Sequence, residues 1–330
     1  MSNMLSYGLC SLLIFFTLPS LAKQKVLIIE SYHSEFVWDK NYKQGIQSVL
    51  KDDFELFYFE MNSKRIAKSR YQERANQAWQ FYQEISPDLV ILGDDNALSY
   101  LGVRFSNTLT PVIYLGINNN PRHYNIHHSK NISGVLERPL LKRAIPAITK
   151  LLANKVSKVL LLFDKSLTSQ AILEETFSAR TQMSISNIDV QIRLIGNWER
   201  WKNTVLSTAN EQYDAIFLGT FHTLTDINGQ YIAAEQVIEW TAKSTPIPPF
   251  GLWDFSVGEN KTIGGLVLFG YEQGKMAAEM AREVLENGKQ PYQLGPRTAE
   301  KGSYLFSRQG LQTYGITLPQ DIAQKATFID

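Results

Sequence analysis

Short runs of β-branched and aliphatic residues recur along this chain, and a stretch with helical spacing follows each one. That alternation constrains the fold more than any other feature. Residues 26–29 (VLII) are the first run, apolar throughout and fit for a strand buried on both faces. Residues 40–51 read as a helix and 54–59 as the next strand. The stretch 71–85 carries apolar or aromatic residues at 71, 75, 78, 79, 82 and 85, close to a 3.6 period, and Ser86-Pro87 ends it. A strand over 89–92, a helix over 97–105 and a strand over 112–115 follow. Strands that alternate with helices imply a parallel sheet with right-handed crossovers.

The pattern then starts again. Helices are expected over 140–152, 171–182, 198–211 and 231–243, with strands over 159–163, 190–194 and 215–218 between them. An extended segment at 248–251, a strand over 263–269 and a strongly helical stretch over 274–285 follow. The tail reads as a strand over 304–306 and a short helix over 309–314. The fold class is therefore α/β, with two successive lobes and no repeat or low-complexity linker between them. A length of 330 residues suits two lobes of roughly 100–200 each. With 44% apolar residues the chain has ample core, which excludes a disordered tail or a disulfide-stapled miniature. Its 33 Lys+Arg balance 32 Asp+Glu, so no basic field points to nucleic acid.

Residues 9–18 are nearly all apolar, but the run is too short to span a bilayer. Pro19-Ser20-Leu21-Ala22 follows, with small residues at the last and third-last positions, as at a signal-peptidase site. Cleavage is expected after Ala22, which makes the mature protein periplasmic. No Lys or Arg precedes Leu9, so only the α-amino group supplies the positive amino-terminal charge. Cys10 is the only cysteine and lies in the leader, so the mature chain has neither disulfides nor thiol chemistry.

In open parallel sheets, ligands bind beyond the carboxyl ends of the strands, and two such lobes make a cleft. The loops there carry hydroxyl, amide, carboxylate and aromatic groups suited to a small polar molecule with an apolar part. Ser31, Tyr32, His33 and Trp38 follow the first strand. Asp94 and Asn96 are placed either to contact a ligand, for example its amine, or to cap the next helix. Asn118 either bonds a ligand or belongs to an ordinary turn. Ser166, Thr168 and Ser169 stand where a helix amino terminus binds a carboxylate, or simply caps itself. Thr220 is preferred to His222, because a loop histidine is more often solvated. Trp253, like Trp38, either stacks on a substrate or packs at the lobe junction, and Asp254 lies beside it.

His123, His127 and His128 have a spacing that suits metal ligands on a helix, but no carboxylate lies among them and Pro121 argues for a loop. No metal site or cofactor is assigned. No nucleophile elbow, P-loop or zincin motif is present, and residues 30–44 contain no glycine to admit a dinucleotide pyrophosphate. The chain reads as a binding protein and not an enzyme.

VLIIESYHSEFVWDKNYKQGI (26–46), SPDLVILGDDNAL (86–98) and TPVIYLGINN (110–119) resemble the ABC transporter substrate-binding protein family of tryptophan/tyrosine-type solute receptors. YEQGKMAAEMAREVLENGKQP (271–291) and GLQTYGITLPQDIAQKATFID (310–330) agree with it. The resemblance implies a type I periplasmic binding protein: two Rossmann-like lobes, three crossovers, an interlobe cleft and a hinge. It divides the chain into 23–136 plus 270–290 and 137–269 plus 291–330, with crossings near 136–138, 269–271 and 289–295. It implies one small organic ligand, an amino acid with an aromatic one compatible, an ABC permease as partner, and a monomer. The first-strand segment also resembles extracytoplasmic domains of membrane histidine kinases and diguanylate cyclases. A sensory accessory protein therefore stays open beside the transport receptor.

Overall fold

The apolar run at 26–29 lies inside a sheet, with Val26, Leu27, Ile28 and Ile29 all fully buried. In the computed structural model, which describes residues 22–153, 156–299 and 302–329, it forms β1 (Lys25–Glu30). Apart from Ala22, the expected leader lies outside the described residues. β2 (Glu55–Glu60), β3 (Leu89–Gly93), β4 (Val112–Ile117) and β5 (Ile132–Leu136) build the same sheet in the order β5-β4-β3-β1-β2. Every pair in it is parallel.

The second sheet holds β6 (Lys158–Phe163), β7 (Gln182–Ile185), β8 (Ile188–Leu194), β9 (Ala215–Leu218) and β10 (Pro249–Gly251), ordered β10-β9-β6-β8-β7. It is parallel except at its edge, where β7 and β8 form an antiparallel hairpin. β11 (Gly264–Val267) comes just before the chain returns to the first lobe. β12 (Arg297–Thr298) adds to the first sheet beside β5, while β13 (Ser303–Ser307) and β14 (Ala326–Ile329) form a small sheet with β11.

Helices α1 (Val37–Leu50), α2 (Tyr71–Ile85) and α3 (Asp94–Ser106) cover the first sheet, and α4 (Leu141–Leu151) opens the second lobe. α5 (Leu167–Phe177), α6 (Trp198–Ser207) and α7 (Ala234–Ser244) cover the second sheet. α8 (Gly270–Asn287) returns to the first lobe and crosses α1 so closely that a Cβ on Gly274 would lie 1.9 Å from Tyr42 O, and one on Gly45 2.1 Å from Tyr271 O. Only glycines permit that approach. The short helices α9 (Pro291–Leu294), α10 (Arg308–Thr313) and α11 (Gln320–Ala323) complete the chain.

Three expectations change. The helix expected over 171–182 runs from Leu167 to Phe177 instead, because Ser178 and Ala179 take left-handed φ values of 51° and 59° and stop it. Residues 182–185 then become a strand, closed by a two-residue turn at Ser186 and Asn187 with φ 51° and 64°, the geometry hairpins favour. Residues 291–298 belong to the first sheet's edge: Tyr292 N donates to Lys130 O (3.2 Å) and Arg297–Thr298 pairs with Val135–Leu136. The third crossing therefore falls after Thr298, not near 289–295.

Candidate functional site

β3 runs directly into α3, and the junction residue Asp94 has φ 72°, a conformation unfavourable for a residue with a side chain. The turn aims the Asp94 carboxylate back toward the ends of β1 and α1. Its Oδ2 accepts from Trp38 Nε1 (2.9 Å) and its Oδ1 from Tyr32 OH (3.1 Å). Burial, with the neighbouring Asp95 charge, pushes the Asp94 carboxyl up to about 7, against the pull of Lys64. Two residues on, Asn96 Nδ2 donates to Ser63 Oγ (2.9 Å).

Asn118 follows β4 and is 2% exposed. Its Nδ2 donates to Gly116 O (3.3 Å) and Glu137 Oε2 (3.2 Å), which fixes the amide orientation. Its Oδ1 is buried and has no donor among the described residues. Glu137 sits just past β5, where the chain leaves the first lobe. Its Oε1 accepts from Trp253 Nε1 (2.5 Å), so this one carboxylate ties Asn118 of the first lobe to Trp253 of the second. Burial and the Asp94 charge hold the Glu137 carboxyl well above the usual range.

The second lobe is organised around Asp164, at the end of β6. Its Oδ1 accepts from Ser169 Oγ (2.7 Å), Thr220 Oγ1 (2.7 Å) and Ser166 N (3.2 Å), and its Oδ2 from His222 N (2.8 Å) and Thr223 N (3.1 Å). Burial acts to raise this carboxyl, but the bonds from Ser169, Ser166 and Thr220 outweigh it and hold it below the usual range. Asp164 therefore fixes two loops and has no lone pair to spare. Ser166 caps α5 by accepting from Ser169 N (3.2 Å).

Between the two sheets lies a cavity of about 420 Å³. Tyr32, Trp38, Asp94, Asn96 and Asn118 line it from the first lobe, and Ser166, Thr168, Thr220 and Trp253 from the second. Contacts join the lobes around it: Asn41 Nδ2 donates to Asp254 Oδ2 (2.6 Å), and the Phe36 ring meets those of His222 (5.3 Å) and Phe255 (5.9 Å).

Four expected residues do not line the cavity. Ser31 is fully buried, its Oγ donating to Gly93 O (2.6 Å) and accepting from Ala97 N (2.8 Å), so it braces the β3–α3 junction. Ser169 is consumed by Asp164. His33 packs beside Phe36 (6.0 Å between ring centroids). Asp254 accepts from Asn41 and from its neighbour Phe255 N (2.8 Å) and holds the lobe junction. Of the histidine cluster, His123 Nδ1 shares a bond with Asn119 Oδ1 (2.9 Å) and the His127 ring lies tilted against that of His128 (3.9 Å between centroids), and none of the three lines the cavity. Among the described residues no group of His, Cys, Asp and Glu is arranged to hold a metal.

His222 departs from the solvated loop residue expected. Its ring is stacked on Phe221 (4.4 Å) and edged by Phe36 and Phe255 (5.3 Å each) in the cavity wall, and burial with the Lys64 charge keeps it neutral. Lys64, Glu137, Phe36 and Tyr231 also line the cavity unforeseen. Lys64 follows β2, and the strand-end rule applied there would have flagged it. Glu137 lies in a crossover, where no motif distinguishes it.

The model of the family described as "ABC transporter substrate binding protein" matches residues 41–329. The chain belongs to the ABC transporter substrate-binding protein family. An "ABC domain" from Streptococcus pneumoniae, solved in complex with L-Trp, superposes with a TM-score of 0.66 at 17% identity, over 94% of this chain and 100% of that one. A conserved domain protein from Vibrio cholerae gives 0.67 at 18%, with the same coverage. The ligand-free, open form of CD0873, a substrate-binding protein with adhesive properties from Clostridium difficile, gives 0.62 at 12%, again over 94% and 100%. At these identities the likeness is one of fold, the type I periplasmic binding fold. No curated protein matches the sequence. Among the described residues no helix is long and apolar enough to cross a membrane.

Proposed function

We propose that this substrate-binding protein is the extracytoplasmic receptor of an ABC import system. It is exported by the leader ending at Ala22, and it captures one small organic ligand between its lobes without chemically changing it. The supporting observation is the 420 Å³ cavity lined by polar and aromatic side chains of both lobes, a volume ordinary for a small-molecule site. A ligand touching both walls gains its full contacts only when the lobes close, so binding favours closure, and a membrane partner reads that state. The moving bodies are 23–136 with 270–298, and 137–269 with 302–329. The chain acts as a monomer.

The walls fit a ligand with an apolar or aromatic part and a polar end. Tyr32, Trp38, Trp253 and Phe255 offer ring faces, and the α5 amino terminus with Ser166 and Thr168 offers hydrogen-bond donors. An aromatic amino acid meets these requirements, and the fold's neighbour in complex with L-Trp supports it.

The test is a thermal-shift screen of the chain from Lys23 onward against amino acids, aromatic amines, sugars, nucleosides and polyamines. A ligand of the folded state at a hundredfold excess over its Kd adds about 2.7 kcal/mol of stability, a clear rise in Tm. An aromatic amino acid is the expected hit. A flat response across the library would overturn the receptor reading for these solutes.

A further inference from the structure

Lys64 reaches into the cavity, yet its ammonium makes no hydrogen bond or ion pair with a described residue. It lies instead over two ring faces, 3.8 Å from the centroid of Phe36 and 4.3 Å from that of Tyr32. Both contacts are well inside the 6 Å range of a cation–π interaction. Carboxylates of both lobes and of the crossover pull on it: Asp94, Asp39, Asp164 and Glu137. The other two lysines that line the cavity, Lys68 and Lys165, are exposed at its rim.

The surroundings call for a donor that Lys64 does not supply. Asn118 Oδ1 is buried, lines the same cavity and has no donor. Its amide cannot be turned to remove the deficit, because Nδ2 already serves two acceptors. Asp39 is fully buried nearby, and burial with the Asp94 charge holds its own carboxyl well above the usual range. Buried acceptors without donors are rare and costly. A lysine ammonium seated on two aromatic rings and drawn by carboxylates, yet without a hydrogen bond, in a cavity that also holds a buried amide oxygen without a donor, describes a site built for another cation.

We propose that Lys64 is a built-in stand-in for the ligand's own ammonium group. The seat over Phe36 and Tyr32, beside Asp94 and Asn118, takes a primary amine of the ligand, and Lys64 must leave it first. This inference rests on the receptor reading above and adds to it the chemistry of one ligand end and a competitor inside the protein.

The sign of one effect tests it. Lys64→Met keeps the side chain's length and removes its charge. Calorimetric titrations with L-tryptophan, tryptamine and indole-3-propionate separate the amine from the carboxylate. The expected result is that Lys64→Met tightens both amine-bearing probes by several-fold to about tenfold, that it leaves indole-3-propionate no tighter, and that Lys64→Arg keeps the wild-type affinities. If Lys64 were instead the partner of a ligand carboxylate, Lys64→Met would weaken L-tryptophan and indole-3-propionate, and the proposal falls. Should Lys64→Met fail to fold, Phe36→Leu gives the second reading: the seat predicts weaker tryptamine binding, and unchanged binding contradicts it. Absence of binding by all three probes in wild type and both variants overturns the amine seat. The receptor reading survives that outcome if the wider screen still yields a ligand, and falls with it if the screen is also flat.

Discussion

Asp94 holds a left-handed backbone conformation that costs a residue with a side chain on the order of 1–3 kcal/mol. The surrounding bonds from Trp38 and Tyr32 hold it there, and the strained turn places a carboxyl in the cleft wall. Its value of about 7 in the folded chain lies above the ordinary 3.8, so the folded state keeps a proton that the unfolded state gives up. The stability this group contributes is present below about pH 4 and is lost as pH rises toward 7. Asp94→Asn is therefore expected to reduce the fall in Tm, or steepen its rise, between pH 5 and 7 relative to wild type, and parallel pH profiles would contradict it. At this scale the sequence was legible where a residue directly ends a strand: Asp94, Asn118 and Thr220 stand at the cavity as the strand-end rule predicts. It was not legible where burial reassigns a side chain. Ser31 and Ser169 have the same hydroxyl as Ser166, but the first is spent on the Gly93 carbonyl and the second on Asp164.

The crossing of α1 and α8 shows how one element docks the returning chain to the first lobe. Gly45 and Gly274 let the helices touch backbone to backbone, so Gly274→Ala inserts a methyl group where a carbonyl oxygen already lies 1.9 Å away. The expected cost is about 2 kcal/mol or more, read as a lower urea midpoint with an unchanged slope. An unaltered midpoint would show that the helices are not packed this way. Periodicity found the amphipathic elements, and it placed α2 at 71–85 as observed. It missed β5, whose ISGVL run contains a glycine and a serine that dilute the apolar signal, and it ran α5 into β7. The break there is made by Ser178 and Ala179 in left-handed conformations, which neither residue type announces.

At the scale of the molecule, strand–helix alternation gave the two α/β lobes, but the exact point of the last crossing emerged only from the pairing of β12 with β5. Among the described residues, links that hold the lobes beside the cavity include Asn118 through Glu137 to Trp253, Asn41 with Asp254, and Phe36 with its aromatic partners. The central claim is that one ligand is held from both sides at once. It is tested most directly by titrating the screen's hit into wild type, Asn96→Ala and Thr168→Ala, one cavity residue from each lobe. The account predicts one site per chain and an affinity lowered about three- to tenfold by each substitution alone, the loss of one hydrogen bond. Loss with only one of the two, or with neither, would place the ligand on a single lobe or elsewhere and contradict the account.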